Sequence, residues 1–316
     1  MKKLAHFDPE LLKQLLSIPG ASGDEGRIRD FILDYVEQHK TSWKSTPTIF
    51  SGKGFQDALI LVFGKPKTAI FAHIDTIGFT TGYDKSLIKI GGPKTIDGIK
   101  LVGSDSRGEI ETELMVIEGE YGEKSLKYVH DREIDRGTNL TFKPDFRLTD
   151  QYVQSPYLDN RLGVLNALNA AAHIENGAIV FSTYEESGGG SVGFLGSFLY
   201  KKYNLHQALI SDITWVTEGV EHDKGVAISM RDSGLPRKSY LNRIINIARE
   251  KNIHFQLEVE SAGGSDGTML QKTDLPFDWC FIGAPEDHVH SPDEKVYISD
   301  IEDMMELYIV LMNNDF

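Results

Sequence analysis

Apolar residues recur at helical spacing at the start of the chain and at strand spacing soon afterwards. Asp8-Pro9 predicts the start of a helix that Pro19-Gly20 ends, because Asp caps helices and Pro is favoured at their first position. An apolar stripe at helical spacing predicts a second helix, and we expect Ser22 or Asp24 to cap it. The stripe consists of Ile28, Phe31, Ile32, Tyr35 and Val36. Strands are predicted over 57–64 and 68–75.

The stretch from about 77 to 151 has a different pattern. It is rich in Gly, Asp and Lys, and its apolar residues form short β-type runs at 87–90, 98–103 and 114–117 without a long helical period. Such a stretch predicts a small all-β unit inserted into the rest of the chain. The predicted division is therefore a discontinuous domain made of 1–76 and 152–316, with 77–151 as the insertion.

Strand and helix patterns alternate after the insertion. The predicted helices are 158–174, 192–203, 239–251, 267–272 and 301–312. The predicted strands are 178–183, 208–214, 225–230, 255–259 and 279–283. This alternation predicts an α/β fold, a layered sandwich around a largely parallel or mixed sheet. Ligands in that architecture collect at the carboxyl ends of the strands.

Composition narrows the classes of partner. The chain has 316 residues and a formal net charge of −14, a poor match to nucleic-acid phosphates or anionic membranes, so we expect neither as a partner. A single cysteine, Cys280, excludes an internal disulfide and lies in a strand-like run that favours a core position. Met1-Lys2-Lys3 is not followed by a sustained apolar run, so we expect no signal peptide and a cytoplasmic location.

His73 and Asp75 end the apolar run of the second predicted strand. Residues two apart on a strand point to the same face, so both side chains should reach the same place. The imidazole can then bind a metal while the carboxylate orients the ring. Many buried strands also end in an ordinary hydrogen-bonded His, so the segment becomes informative only with matching segments elsewhere.

Further acids and a second His stand at the ends of other apolar runs. Asp159 opens a predicted helix, Glu185-Glu186 follow a strand and precede a Gly-rich loop, Asp212 ends a strand, and His290 follows another. Each has an ordinary alternative, as a helix cap or a solvated turn. Together they supply two His and three or four carboxylates at the strand ends of one predicted sheet.

This set of donors suits a pair of divalent cations. Nitrogen and oxygen donors without thiolates favour zinc, with cobalt or manganese as alternatives. Two metals about 3.5–4 Å apart can polarise a carbonyl and activate water, and a spare Glu is then needed as general base. The Glu185-Glu186 pair offers one carboxylate for a metal and one for the proton.

The order of these segments resembles a known family. The chain is similar to the co-catalytic dinuclear metallo-aminopeptidases of clan MH. The nearest type is the glutamyl or deblocking aminopeptidases, the tetrahedral TET peptidases, some of which carry endoglucanase names. The resemblance covers nearly the whole chain. It rests on the segments beginning at Ala72, Asp159, Glu185, Ser211, Gly263 and His290, in the family's order.

The resemblance implies a role for each candidate residue. Asp159 would bridge two metals, one completed by His73 and Asp212 and the other by Glu186 and His290. Glu185 would be the general base and Asp75 would hold the ring of His73. Gly263, Gly264 and Asp266 would line the substrate cleft.

The resemblance also implies an architecture and an assembly. A three-layer α/β/α sandwich would carry a small inserted β-barrel used for dimerisation. The stretch between Asp75 and Asp159 has room for that barrel, whereas the stretch between Asp212 and His290 is too short for the lid domain of related carboxypeptidases and deacylases. Dimers in this group often build a hollow tetrahedral dodecamer, and the substrates would be short peptides. One departure stands out, because Asp287 and His288 replace the usual Arg-Tyr pair.

Three other functions remain open at this point. An amidohydrolase or deacylase of the same clan, acting on a small N-acyl amino acid, would use the same ligands with a different pocket. A non-catalytic metal-binding assembly subunit would lack a ligand or the base, and none is missing here. A glycosidase could use paired carboxylates, but the two His residues are surplus to that chemistry.

Overall fold

A computed structural model of the protein describes residues 6–314. The N-terminal residues 1–5, on which the expectation about a signal peptide depends, lie outside this range. The described chain forms two β-sheets, a large mixed one flanked by helices and a smaller antiparallel one. No helix within residues 6–314 combines the length and the apolar character needed to cross a bilayer.

Seven helices occur in the described chain. They are α1 (Pro9–Leu16), α2 (Gly26–His39), α3 (Leu158–His173), α4 (Val192–Tyr203), α5 (Lys238–Glu250), α6 (Asp266–Gln271) and α7 (Ile298–Asn313). Asp8 caps α1 as predicted, its Oδ1 accepting from the N–H groups of Glu10 and Leu11. The predicted cap of α2 is wrong, because Glu25 holds that position and no side chain caps the helix. Ser22 instead donates its hydroxyl to Asp75.

The large sheet contains eleven strands. They are β1 (Thr48–Phe50), β2 (Leu59–Phe63), β3 (Thr68–His73), β10 (Arg147–Leu148), β11 (Tyr152–Gln154), β12 (Gly177–Ser182), β13 (Gln207–Trp215), β14 (Val226–Arg231), β15 (Phe255–Val259), β16 (Asp278–Asp287) and β17 (Lys295–Tyr297). Their main order is β1-β2-β12-β3-β13-β16-β17-β11-β10, with β14 and β15 attached to β16. Strands β12, β3, β13 and β16 are parallel, so their carboxyl ends meet at one edge.

Two apolar layers cover the faces of this sheet. Alternate residues of one strand belong to different clusters: Leu59 and Leu61 pack with α1, α3 and α7, whereas Ile60 and Val62 pack with α4 and α6. This period of two is expected of a strand that is buried on both faces. The predicted three-layer sandwich with a mixed sheet is therefore confirmed.

The second sheet is antiparallel and nearly closed. Its six strands are β4 (Gly78–Thr81), β5 (Leu87–Ile90), β6 (Lys100–Asp105), β7 (Gly108–Glu118), β8 (Lys124–Val129) and β9 (Asn139–Phe142). The strand order is β5-β4-β9-β6-β7-β8, and a bridge between Ser86 and Lys127 joins the two ends, which gives the expected barrel-like unit. Strand β10 returns to the large sheet before residue 151, and the domain boundaries stay a prediction.

Candidate active site

Parallel strands bring the predicted site residues to one edge of the large sheet. His73 is the last residue of β3, and Asp212 lies in the neighbouring strand β13. Glu185 and Glu186 follow β12, and His290 follows β16. Because the carboxyl ends of these parallel strands lie side by side, residues far apart in sequence become neighbours.

Asp159 stands between the two histidines. Its Oδ1 lies 3.2 Å from His73 Nε2, and its Oδ2 lies 3.2 Å from His290 Nε2. Although it falls in the first turn of α3, its backbone is not helical, with ψ near 102°. The side chain that caps the regular part of the helix is that of Asn160, whose Oδ1 accepts from the N–H of Gly163 at 2.9 Å. Both carboxylate oxygens of Asp159 instead face a histidine.

Two groups of potential metal donors share Asp159. The first consists of His73, Asp159 and Asp212, and the second of Asp159, Glu186 and His290. Within each group the donor atoms lie within 4.8 Å of one another. His73 Nε2 is 3.6 Å from Asp212 Oδ2, and His290 Nε2 is 3.4 Å from Glu186 Oε2. These distances bring each imidazole against its carboxylates, as donors around a common cation would be.

Electrostatics show that this site attracts positive charge. Burial raises the pKa of Glu186 well above its usual range, and the neighbouring Asp159 raises it further. Burial would lower the pKa of His73, but Asp212, Asp159 and Asp75 raise it well above its usual value. Glu186 Oε1 is buried without a hydrogen-bond partner among residues 6–314. The raised pKa values mean that Glu186 and His73 bind protons readily. The residues present therefore fit divalent cations, which could bind in place of those protons.

Glu185 lies beside the donors without joining either group. Its Oε2 is 4.0 Å from His73 Nε2, and its side chain is only 17% exposed. Burial, followed by the charges of Asp212, Asp266 and Asp159, raises its pKa well above that of an ordinary Glu. A carboxylate placed there can accept and hold a proton, as a general base must.

Asp75 connects His73 to the loop that carries the two glutamates. Its Oδ1 lies 3.5 Å from His73 Nδ1 and accepts from the N–H of Glu185 at 3.0 Å. Its Oδ2 accepts from the N–H of Glu186 at 3.1 Å and from the Ser22 hydroxyl at 2.5 Å. One fully buried carboxylate thus orients a ring and holds the backbone of the adjacent loop.

Glu294 is a site residue that the sequence analysis missed. Its Oε2 accepts from the N–H of Asp159 at 3.2 Å, and its Oε1 accepts from the N–H of His290 at 3.0 Å. The residue is completely buried. It lies in the segment that begins at His290, yet an acid four residues after a His gives no local sign of such a role.

The donors line a cavity of about 250 Å³. Gly263 and Gly264 are on its wall as predicted, whereas Asp266 is not among its lining residues. Asp266 is 1% exposed and accepts a hydrogen bond from the Ser182 hydroxyl, and burial raises its pKa to about 7. The other lining residues were not predicted: Ile213, Thr214, Trp215, Asp232, Glu258, Glu260, Ala262 and Phe281.

The unusual Asp287-His288 pair lies outside this cavity. Asp287 Oδ2 is 2.8 Å from Lys295 Nζ and 2.9 Å from His222 Nε2. Burial acts to raise the pKa of Asp287, but these two neighbours lower it overall. His288 is exposed and belongs to neither donor group.

Comparison with known proteins places this geometry in context. The profile of the M42 glutamyl aminopeptidase family matches residues 99–307, more than half of the chain. A protein of Acetivibrio thermocellus, named as a candidate aminopeptidase, is 23% identical over 337 aligned positions, which cover 95% of this chain and 97% of that protein.

Solved structures show the same fold. An aminopeptidase from the archaeon Desulfurococcus kamchatkensis superposes with a TM-score of 0.84 at 19% identity, over 96% of this chain and 93% of that one. A TET peptidase of Pyrococcus horikoshii, described as assembling into a tetrahedron or a large octahedral shell, superposes with a TM-score of 0.78 at 21% identity. That match covers 96% of this chain and 98% of the other.

Proposed function

This chain belongs to the M42 glutamyl aminopeptidase family and is therefore a metal-dependent peptide hydrolase; we propose that it removes the N-terminal residue of short peptides with two metals and Glu185 as general base. The observation that carries the proposal is the pair of donor groups sharing Asp159, with Glu185 beside them in the same cavity. A single-metal site would not need the second His and the second terminal carboxylate.

Each residue has a distinct part in the proposal. His73 and Asp212 would hold one cation, Glu186 and His290 the other, and Asp159 would bridge them. Zinc suits these nitrogen and oxygen donors, with cobalt or manganese as alternatives. Two bound cations would supply Lewis acidity to the scissile carbonyl and acidify the attacking water.

Glu185 would carry the proton through the reaction. Its carboxylate takes a proton from the attacking water and later gives it to the leaving amine, so the same group serves as base and then as acid. The raised pKa of Glu185 favours the protonated form between these two steps, and nearby cations would lower that pKa again. Asp75 keeps Glu185 in place through its backbone N–H.

The second sheet is proposed as a contact between subunits. Apolar side chains are exposed in and around it, with Tyr83 71%, Ile88 63% and Tyr121 90% exposed. Large apolar side chains exposed on one small unit can mark a protein interface. Together with the assembly described for the Pyrococcus horikoshii peptidase, they support a homodimer that can build a tetrahedral dodecamer. Light scattering of the full chain tests this, and a monomer at micromolar concentration contradicts it.

The first experiment combines metal content with hydrolysis of aminoacyl-p-nitroanilides. About two metals per chain are expected by mass spectrometry, with cleavage lost on chelation and restored by zinc, cobalt or manganese. Two metals without cleavage of any substrate that has a free amine would point instead to a deacylase of the same clan. A chain that binds no metal would contradict both functions.

Glu185→Gln tests the base directly. The amide cannot accept the proton, so turnover should fall by roughly 10²–10⁴-fold while both metals stay bound. Glu186→Gln is the matched control, because it alters a proposed ligand one residue away and should lower the metal content. Full activity in Glu185→Gln would remove Glu185 from the mechanism.

A further inference from the structure

One wall of the active-site cavity carries acidic residues in addition to the proposed metal donors. Asp232, Glu258 and Glu260 all line it, together with Trp215 and Thr214. No Lys or Arg is among the lining residues within 6–314. The three carboxylates are additional to the four in the proposed catalytic set, so bound metals would not neutralise them directly.

The position of Glu258 follows from strand β13. Thr214 comes two residues after Asp212 on this strand, so both side chains point to the same face, about 7 Å apart. The Thr214 hydroxyl donates a hydrogen bond to Glu258 Oε1. The Glu258 carboxylate therefore lies in the same cavity as Asp212, one side-chain step further along the strand.

Glu258 is a buried acid without a described cationic partner. It is only 4% exposed, and burial raises its pKa. The hydroxyls of Thr214 and Ser229 oppose this rise, and the charges of Glu260 and Asp232 add to it. The nearby Arg231 donates its Nε to the backbone carbonyls of Asp232 and Glu260, and within residues 6–314 it forms no ion pair with the three carboxylates. Burying like charges together is unfavourable unless a cation joins them.

The three acids are not equivalent. Asp232 already accepts hydrogen bonds from the N–H of Gly234 and from the Thr268 hydroxyl, which gives it a structural role. Glu260 is partly exposed, and within residues 6–314 no side chain donates a hydrogen bond to its carboxylate. Asp232 accepts at both of its oxygens, whereas the Thr214 hydroxyl donates to Oε1 of Glu258 and leaves Oε2 for a ligand. Glu258 and Glu260 are therefore the pair that could bind a ligand, with Asp232 contributing its charge.

We propose that Glu258 and Glu260 bind the cationic side chain of the substrate's N-terminal residue, so that the enzyme prefers peptides that begin with Lys or Arg. The inference rests on the proposed function, in which that residue enters this cavity. Trp215, 43% exposed on the same wall, can pack against the aliphatic stem or the cation. An N-terminal Glu would meet only like charges there, in contrast to the preference that the family name states.

The test compares p-nitroanilides of Lys, Arg, norleucine and Glu on the metal-loaded enzyme. Norleucine has the same unbranched stem as Lys without the ammonium, and every substrate carries the same α-amino group. The comparison therefore isolates the side-chain charge from recognition of the free N-terminus. A paired, largely desolvated charge should favour Lys over norleucine by about tenfold to a hundredfold in kcat/KM, with Glu the poorest substrate.

Two variants assign the preference to this wall. Glu258→Gln keeps the acceptor for Thr214 and removes the charge, and Glu260→Gln does the same at a more exposed position. Each should lower the ratio of Lys to norleucine by about three- to tenfold while cleavage of norleucine persists. Glu260→Gln keeps the test valid if Glu258→Gln does not fold, and Glu250→Gln, exposed at the end of α5 and outside the cavity, should leave the ratio unchanged.

The outcomes separate the two proposals. Efficient cleavage of norleucine or Glu with no preference for Lys or Arg overturns the specificity and leaves the aminopeptidase intact. A Lys preference that survives in both variants also overturns the assignment, because the selecting charge would lie elsewhere. Failure to cleave any of the four substrates overturns the proposed function and this inference with it.

Discussion

The two halves of the proposed metal site are held in place by different means. The strand half consists of His73 and Asp212, which lie on the adjacent parallel strands β3 and β13 and are 2% and 9% exposed. The loop half consists of Glu186 and His290, which follow β12 and β16 in irregular segments, and His290 is 27% exposed. Asp159 belongs to both halves.

Buried carboxylates hold the loop half in place, whereas strand pairing holds the strand half in place. Asp75 accepts the N–H groups of Glu185 and Glu186, and Glu294 accepts those of Asp159 and His290. A loop cannot use a β-ladder to satisfy its backbone, so a side chain must supply the acceptors. The placement of the loop donors therefore depends on these two acids, whereas the placement of the strand donors depends on the sheet.

The largest effect is expected from a substitution that disrupts both halves of the proposed metal site. Asp159→Ala removes the shared donor and leaves two histidines without their common carboxylate. Both metals should be lost, and since metal ions supply several kcal/mol to such reactions, kcat/KM should fall by at least about a thousandfold. Metal content and peptide hydrolysis measure the effect. Asp34→Ala, exposed on α2, is the control and should behave as wild type.

Removing one histidine at a time separates the halves. The preorganised strand donors lose less freedom when a cation binds, so we expect the strand half to hold the tighter metal. We would titrate the metal-free protein with metal in a calorimeter. His73→Ala should lack the tight binding site, and His290→Ala should lack the weak one. Each variant should lose roughly a hundredfold in activity. The reverse assignment of classes would show that burial on a strand does not set the affinity.

Asp75→Asn should weaken both halves without removing a donor. The amide loses one acceptor oxygen, so the hold on His73 or on the Glu185-Glu186 backbone is impaired, and changes of this kind cost about 10–100-fold in metal affinity or activity. Ser22→Ala is the matched control, because it removes one hydrogen bond to the same carboxylate and should cost only a few-fold. Equal losses in the two variants would mean that Asp75 acts through Ser22 alone.

The smallest and most selective effect is expected of Glu294→Gln. The amide NH₂ group cannot accept from a backbone N–H, so either Asp159 or His290 loses its partner. Affinity for the weaker metal should fall by about tenfold, and affinity for the tighter metal should fall less, because only Asp159 connects that metal to Glu294. The same calorimetric titration measures the affinities for both metals. Wild-type binding in this variant would show that Glu294 is not needed to place the loop half.

Element types were predictable because they depend on local pattern. The predicted helix at 192–203 and the strand at 255–259 coincide with α4 and β15. The short strands β1 and β17 were not predicted, since three-residue segments have little periodicity and depend on their pairing partners. The expectation that Ser22 or Asp24 caps α2 was wrong, because the sequence shows the Ser22 hydroxyl but not Asp75, its distant partner.

The candidate site, like the fold, was predictable from the sequence only in part. Donor types, their order, and their placement after apolar runs were visible in the sequence, and His73, Asp159, Glu185, Glu186, Asp212 and His290 all line one cavity. The roles of Asp75 toward the glutamate loop, of Glu294 toward Asp159, and of Glu258 beside Thr214 were not visible. Each of these contacts joins residues that are at least 44 positions apart.

Residue types and their spacing were enough to predict the candidate metal donors, the strands that carry them, and the α/β architecture with a β-rich insertion. Those properties follow from residue type and from periods of two and 3.6, which are local. The folded chain was needed to show that Asp159 stands between two histidines, that Glu294 accepts its backbone N–H, and that three further acids line one wall of the cavity. Distances and burial arise when parallel strands bring separate segments to one edge, so no single segment contains them.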